Sequence, residues 1–429
     1  MENKSKLKKN MPLLIILAIS GAFIYSLPYM RSYYYDAFME VFAMTNTEMG
    51  LCGTYYGLFG AVSYLIGGVI ADKISIKKLI PFSMIVTGIA GFYLLTSPSP
   101  MQIALIHGLW GVTSLMTFWP ALLKALRSLA NSNEQAKAFG MFEGGRGVTN
   151  AAYLAVAVVI FSTLTAKGGN VLGVKGILAF YSVGTVLLGV LSIFLLKNIN
   201  ENKDGDSSNS FSLKMVGQVI KMPALWMMIA IIFCTYSMNM SYYYISPYVT
   251  AAFGTSAVFS AMLTSMSQYI RPVSAIGAGV IGDKINSSKV LLISQFVTLG
   301  GLLIIMFTPV NSSIMFILIG CVLVFATMYV SQSMHFAIME ESNFPAASSG
   351  TAIGIICCIG YLPEAVCPYV AGVVLDKYTG LAGYNILFML LAGVTVVGIG
   401  LTFVWLKMTK VKRAEILSLS KKNKESKAV

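Results

Sequence analysis

Residues 67–80 read GGVIADKISIKKLI, and residues 278–291 read AGVIGDKINSSKVL. Gly68, Asp72 and Lys73 fall on Gly279, Asp283 and Lys284 at a shift of 211 positions. Each stretch closes an apolar run and opens a short basic loop. Two further matches keep nearly the same spacing: SYYY at 32–35 returns at 241–244, and Gly140 and Gly144 return as Gly350 and Gly354. Three local matches at one spacing imply a duplicated chain. In membrane transporters a parallel duplication puts substrate where the repeats meet, near the bilayer midplane.

Composition fixes the setting of that duplication. Apolar residues make up 56% of the 429-residue chain, charged residues 11%, and mean hydropathy is +0.76. A soluble chain carries about 25% charged residues to cover its surface. Bilayer spans need about 20 mostly apolar residues each. Twelve segments qualify: 11–35, 49–71, 79–96, 101–123, 138–162, 173–196, 223–249, 257–282, 289–308, 313–339, 347–374 and 381–406. They are called spans 1 to 12 below. The basic start Lys4–Lys9 precedes an apolar run longer than a signal-peptide core and without a small-residue cleavage pattern, so it reads as the first span. The expectation is an all-α membrane protein with twelve transmembrane helices in two pseudo-symmetric six-helix bundles. The bundles are residues 1–196 and 223–407, with a linker loop at 197–222 and a basic tail at 408–429. Within the linker, Phe211 to Lys221 has the pattern of an amphipathic surface helix.

The basic residues orient the bundle. With the N-terminus in the cytoplasm, the cytoplasmic segments hold 24 of the 30 Lys and Arg, and the outer side only Lys167, Lys175 and Lys377. Both termini are then cytoplasmic, and the chain is expected in the inner membrane of a bacterium or archaeon. Net charge +13 is explained by this topology rather than by nucleic acid. The six cysteines lie within apolar segments without a Cys-x-x-Cys pair and read as small packing residues. No cofactor or metal set is expected, and no nucleophile–base set of an enzyme occurs at helical spacing.

In its whole length the chain resembles a major facilitator superfamily transporter. The six-plus-six arrangement, the long central loop and the loop motif repeated after spans 2 and 8 carry the resemblance. The family pattern has a second glycine where this chain has Ser75 and a basic residue where it has Ile76; Lys77 and Lys78 restore the charge one step later. The second copy departs at Asn286 and Ser288. YMRSYYYDAF at 29–38 and FWPALLKAL at 118–126 are similar to the anion-exchanger side of the superfamily, which includes organophosphate/phosphate and oxalate/formate antiporters. This implies a small organic anion, with Arg31 matching the span 1 arginine of the first group and Arg271 the span 8 arginine of the second.

Charges at membrane depth are costly and face a cavity or a partner. Arg271 lies twelve residues before Asp283, about 18 Å from that end of its helix at 1.5 Å per residue. Gln268 is one turn earlier. Arg31 has Tyr35 one turn away, and Tyr244 is the repeat partner of Tyr35. Arg31, Arg271, Tyr35, Tyr244, Gln268 and Trp119 are the expected substrate contacts, with two arginines clamping one carboxylate or phosphate. The outer aromatic belt is the competing reading for the tyrosines. Glu143 and Arg146, three apart in MFEGGRG, read as a structural or gating pair. Glu364, after Pro363, is the proton-carrier candidate, and His335 a second coupling residue. Asp72, Lys73, Asp283 and Lys284 read as gate elements, the aspartates accepting from a neighbouring helix N-terminus. The expected function is secondary transport of a small organic anion by alternating access, with exchange of a counter-anion or with protons, by a monomer in the lipid bilayer. A proton-coupled multidrug or cation exporter of the same fold would use Glu364 instead. A non-transporting membrane solute sensor would ordinarily carry an added soluble module.

Overall fold

The computed structural model describes residues 6–131, 134–198, 213–310, 312–342, 344 and 349–425, and these are helical with no strand among them. Eight helices are long and apolar enough to cross a membrane, or ten when two bent pairs each count as one span. Two more crossings complete twelve. Gln135–Leu195 is continuous in hydrogen bonding yet turns at Gly168 (φ −151°, ψ 25°) and Gly169 (φ 70°, ψ −175°), which separates spans 5 and 6. Left-handed φ at Gly169 is open to glycine at no steric cost. Ala257–Ile285, 29 residues long, is span 8, and the charge of Arg271 inside it lowers its hydropathy.

Local chemistry sets the helix ends. Span 2, Asn46–Lys73, begins with a capping box: Thr45 accepts from the Glu48 amide at 3.2 Å, and Glu48 accepts from the Thr45 amide at 2.8 Å. Span 3, Ile76–Leu94, is capped by Ser75, and Pro81 lies inside it. Span 4 runs Pro100–Leu129, but Val112–Phe118 is a π-helical stretch that hydropathy does not reveal. Pro120 has no amide hydrogen for the Met116 carbonyl and its ring crowds that position, so the register widens just before it.

The repeated tyrosine motif marks breaks. Span 1 is the pair Met11–Phe23 and Ser26–Tyr33, bent by 42°, and a new helix, Tyr35–Phe42, begins after Tyr34 (φ −121°, ψ 43°). Span 7, Pro223–Ser241, passes through a 3₁₀ turn at Tyr242–Tyr244 into Ile245–Phe253. Sequence alone suggested one continuous helix in each place. Span 11 is broken too, into Ser349–Gly360 and Pro363–Lys377. Spans 9, 10 and 12 are Ser287–Phe307, Ile314–Met334 and Leu381–Met408. Leu213–Ile220 forms a helix where the amphipathic segment was expected; Phe211 and Ser212 lie outside the described residues. The expected tail is a helix, Lys410–Glu425.

The chain packs as two compact units. The first is Met1–Ser207 with Ser256–Gln268 and Pro368–Val373; the second is Ser208–Thr255, Tyr269–Cys367 and Val374–Val429. A core around Leu17, Phe118, Leu122 and Phe142 holds the first. One around Leu225, Met228, Ile356 and Trp405 holds the second.

Apolar packing distinguishes helices poorly in lipid, and hydroxyl pairs add direction. In the first unit Ser83 meets Thr117 at 2.6 Å and Thr87 meets Thr113 at 2.7 Å, joining spans 3 and 4. In the second, Ser294 meets Ser331 at 2.8 Å and Thr298 meets Thr327 at 2.7 Å, joining spans 9 and 10. Ser83 and Thr87 precede Ser294 and Thr298 by the same 211 positions as the loop motif. The duplication is thus present in the polar packing of both helix pairs.

Candidate functional site

Arg31 ends the second helix of span 1 and is 7% exposed. Its Nη1 donates to the Met49 carbonyl at 3.4 Å, while Nε is buried without a hydrogen-bond partner among the described residues. Four ion pairs occur among those residues, and Arg31 is in none. Tyr35 belongs to the next helix because of the break at Tyr34, and its hydroxyl donates to Asn46 Oδ1 at 2.8 Å. The one-turn relation expected between Arg31 and Tyr35 therefore does not hold.

Glu143 and Arg146 form an ion pair at 2.8 Å, with Glu143 half exposed. Arg146 also lies over the Trp119 ring at 5.2 Å and the Phe142 ring at 5.9 Å. Trp119, expected beside substrate, is thus the aromatic platform of this pair, with Tyr25 at its edge (centroids 6.4 Å). Asp72, 80% exposed, has Lys124 of span 4 as partner at 3.5 Å rather than a helix N-terminus. Lys124 also donates to the Ala71 carbonyl at 2.8 Å. Lys73 and Lys284 are exposed, and the Asp283 side chain lies outside the described residues.

In the second unit, Arg271 is half-buried, and its guanidinium stands over the Tyr329 ring at 5.4 Å. It too is in none of the ion pairs among the described residues. Gln268 is half-buried on the same helix, in the portion that packs with the first unit, and Tyr244 is 3% exposed in its 3₁₀ turn. Glu364 is 6% exposed and occupies the first turn of Pro363–Lys377. The amides of that first turn already bond to the Tyr361 and Leu362 carbonyls. Tyr236 donates to Glu364 Oε2 at 3.5 Å and stacks on Tyr361 at 4.5 Å.

His335 is fully buried and closes the same cluster. Its ring is 6.4 Å from Tyr236 and 6.0 Å from Tyr361. The Thr235 hydroxyl lies 2.8 Å from His335 Nε2 and 3.0 Å from the Ile231 carbonyl. His335 Nδ1 is buried without a hydrogen-bond partner among the described residues. The structure therefore joins Glu364 and His335, the two expected coupling residues, through two tyrosines.

Sequence reading missed Glu341. It is 4% exposed and accepts from the Ser288 amide at 3.0 Å, from the Ser288 hydroxyl and from Trp405 Nε1 at 3.3 Å. Arg413 of the tail helix lies 3.8 Å away. A loop acid thereby ties together the start of span 9, span 12 and the tail. No group of three or more His, Cys, Asp or Glu that could hold a metal occurs among the described residues.

A many-span helical protein with paired repeats and buried charges within its spans defines a membrane transporter rather than an enzyme. The family model of the Major Facilitator Superfamily matches residues 13–368, and the chain belongs to that family. The chain is 27% identical to the Escherichia coli inner membrane protein YihN, over 96% of this chain and 99% of that one. It is also 27% identical to the E. coli inner membrane protein YqcE, over 94% and 95%. Among solved structures, the nucleoside transporter NupG superposes with a TM-score of 0.74 at 14% identity, covering 94% of this chain and 99% of that one. A bacterial homologue of the human lysosomal transporter Spinster, in an inward-facing and unoccupied conformation, gives 0.75 at 12% identity, over 95% and 98%. At such identities these two structures speak for the fold alone.

Proposed function

We propose that the protein transports a small organic anion, a carboxylate or phosphorylated metabolite, with Arg31 and Arg271 as its anion-binding groups. The observation that carries this is Arg31: a buried guanidinium, with Nε unpartnered and no acidic partner among the described residues. An arginine inside a span is costly, by about 2.5–3.5 kcal/mol at the helix centre on insertion scales. A bound anion offsets that cost and gives a reason to retain the residue. Arg271, half-buried with its guanidinium over the Tyr329 ring, is the second such cation, in the second unit. Such a cation fits exchange of anions, since the empty site is the unfavourable state. Proton coupling is the other source of energy, and Glu364 with His335 would carry it.

Transport proceeds by alternating access of the halves 1–196 and 223–407, with both termini in the cytoplasm and a monomer as the working unit. Asp72, Lys73, Asp283, Lys284, Glu143 and Arg146 serve the gate. Tyr35, Tyr244, Gln268 and Trp119 are substrate contacts of lower rank, because Tyr35 and Trp119 already have partners in Asn46 and Arg146. Proteoliposomes loaded with candidate carboxylates and organophosphates test the proposal. Exchange or uptake of an anion, lost in Arg31→Ala and Arg271→Ala, is expected. Export of a lipophilic cation driven by a pH gradient, with no anion movement, would overturn it.

A further inference from the structure

A cavity of about 480 Å³ opens in the second unit between the start of span 7, the turn after span 10 and the junction of span 12 with the tail helix. Cavities of about 300–1,000 Å³ take small molecules. The charges in and behind its wall cancel in pairs. Lys412 Nζ lies 2.9 Å from Glu415 Oε2, and their side chains are 37% and 55% exposed. Behind them, buried Glu341 has Arg413 at 3.8 Å. Arg413 is occupied: its Nε donates to the Thr409 hydroxyl at 3.1 Å and its Nη2 to the Leu406 carbonyl. Lys412 is then the one cation among the described residues that line the cavity, beside the carboxylates Glu341 and Glu415.

The uncharged part of the wall offers acceptors and apolar surface. Ser342 gives its hydroxyl proton to the Met339 carbonyl at 2.6 Å, and its oxygen keeps lone pairs. Thr409 gives its own to the Trp405 carbonyl at 2.9 Å. Met408 and Val411 also line the cavity, 49% and 84% exposed. Helix ends that leave the hydrocarbon lie at the level of the headgroups. An exposed valine one turn past a span, among basic residues, belongs at the boundary of headgroups and acyl chains. Lipids of the bilayer are therefore the molecules that meet this opening.

We propose that the cavity holds the headgroup of a phospholipid that carries a primary ammonium beside its phosphate. The phosphate takes Lys412 and the ammonium takes Glu415, so one ion pair within the tail helix is replaced by two charge-assisted contacts with the lipid. Ser342 supplies a further acceptor for the ammonium, which has three N–H donors. An anionic headgroup reaches Lys412 only in competition with Glu415, and it shares the cavity with Glu341. A choline headgroup has a cation without N–H, so neither Glu415 nor Ser342 gains a hydrogen bond from it. Met408 and Val411 then cover the glycerol and the first methylenes. Occupancy ties the tail helix to the start of span 7.

This inference is independent of which solute is moved, and its test needs no substrate. The full chain is purified in dodecyl maltoside. Its thermal unfolding is followed as phosphatidylethanolamine, phosphatidylglycerol or phosphatidylcholine with the same acyl chains is added at equal mole fraction. A rise in Tm that is largest with phosphatidylethanolamine is expected for the natural protein, since a ligand of the folded state stabilises it by mass action. Lys412→Met should fold, because an exposed ion pair contributes little to stability, and the ethanolamine-specific part of the rise should vanish. Glu415→Gln frees Lys412 and should shift the preference to phosphatidylglycerol. Equal rises with all three lipids would mean unspecific contact with the bilayer, and would overturn the site. A natural protein that prefers phosphatidylglycerol, or an ethanolamine response unchanged in both variants, would overturn it equally.

Discussion

Arg31 reaches the Met49 carbonyl with one guanidinium nitrogen at 3.4 Å, a long contact for a charged donor, and leaves Nε unpartnered. The geometry is that of a cation with donors in reserve. A charge-assisted hydrogen bond is worth about 1.5–3 kcal/mol. Replacing Arg31 by Ala should therefore weaken anion binding by about 10–100-fold, with little loss of stability, because a buried charge disappears with the side chain. Lys in its place keeps the charge and loses the planar fork, so it should restore binding only in part. Anion-dependent thermal stabilisation of both variants is the measurement; unchanged affinity in Arg31→Ala removes the assigned role.

Gly53 holds that arginine in place by being small. A methyl group there would stand 2.7 Å from Arg31 Nη2 and equally close to the rigid Pro368 ring, which packs in the same unit. The Pro368 ring does not yield without moving its helix, so the guanidinium at the flexible end of Arg31 is the group displaced. Gly53→Ala is expected to cost about 1–3 kcal/mol, the usual range for overpacking, and to impair anion binding as Arg31→Ala does. Tm and anion affinity read on one sample check both parts. A variant with normal values in both would show that the seam is looser than its distances indicate.

The sequence was most legible where its periodicity and its physics coincide. The 211-residue shift identified the loop motif, and the same shift governs Ser83 and Ser294 in the packing of spans 3 and 9. Glu143 and Arg146 sit three apart on one helix, and such a pair needs no tertiary knowledge. The break at Tyr34 was not legible, because hydropathy averages over backbone conformation, and the one-turn spacing of Arg31 and Tyr35 was read across it. Glu341 looked like any loop acid. Its partners Ser288, Trp405 and Arg413 are distant in sequence, and only the fold delivers them.

Glu341 should behave as a buried anchor. Removing one partner of a buried charged cluster costs about 3–5 kcal/mol, since the remaining charge has nothing to face. Glu341→Ala strips the Ser288 amide, the Trp405 indole and Arg413 of their common acceptor. A marked fall in Tm is expected, together with faster proteolysis of the tail helix Lys410–Glu425. Combining Glu341→Ala with Arg413→Met should be less damaging than the sum of the single changes, because no uncompensated cation is left. Strict additivity in that cycle would assign the acid to the Ser288 end alone.

The hydroxyl pairs make the last prediction, and the repeat makes it quantitative. Thr87 and Thr113 meet at 2.7 Å in one unit, and Thr298 and Thr327 meet at 2.7 Å in the other. Hydrogen bonds between membrane helices give coupling energies of about 0.6 kcal/mol on average in double-mutant cycles. Thr→Val cycles on each pair should therefore yield couplings of that order, close to one another. The two pairs are not wholly equivalent, though, because Thr298 also borders a small cavity beside Gln295 while the first unit has Met84 there. A coupling at Thr298–Thr327 clearly above that at Thr87–Thr113 would trace to this polar neighbour.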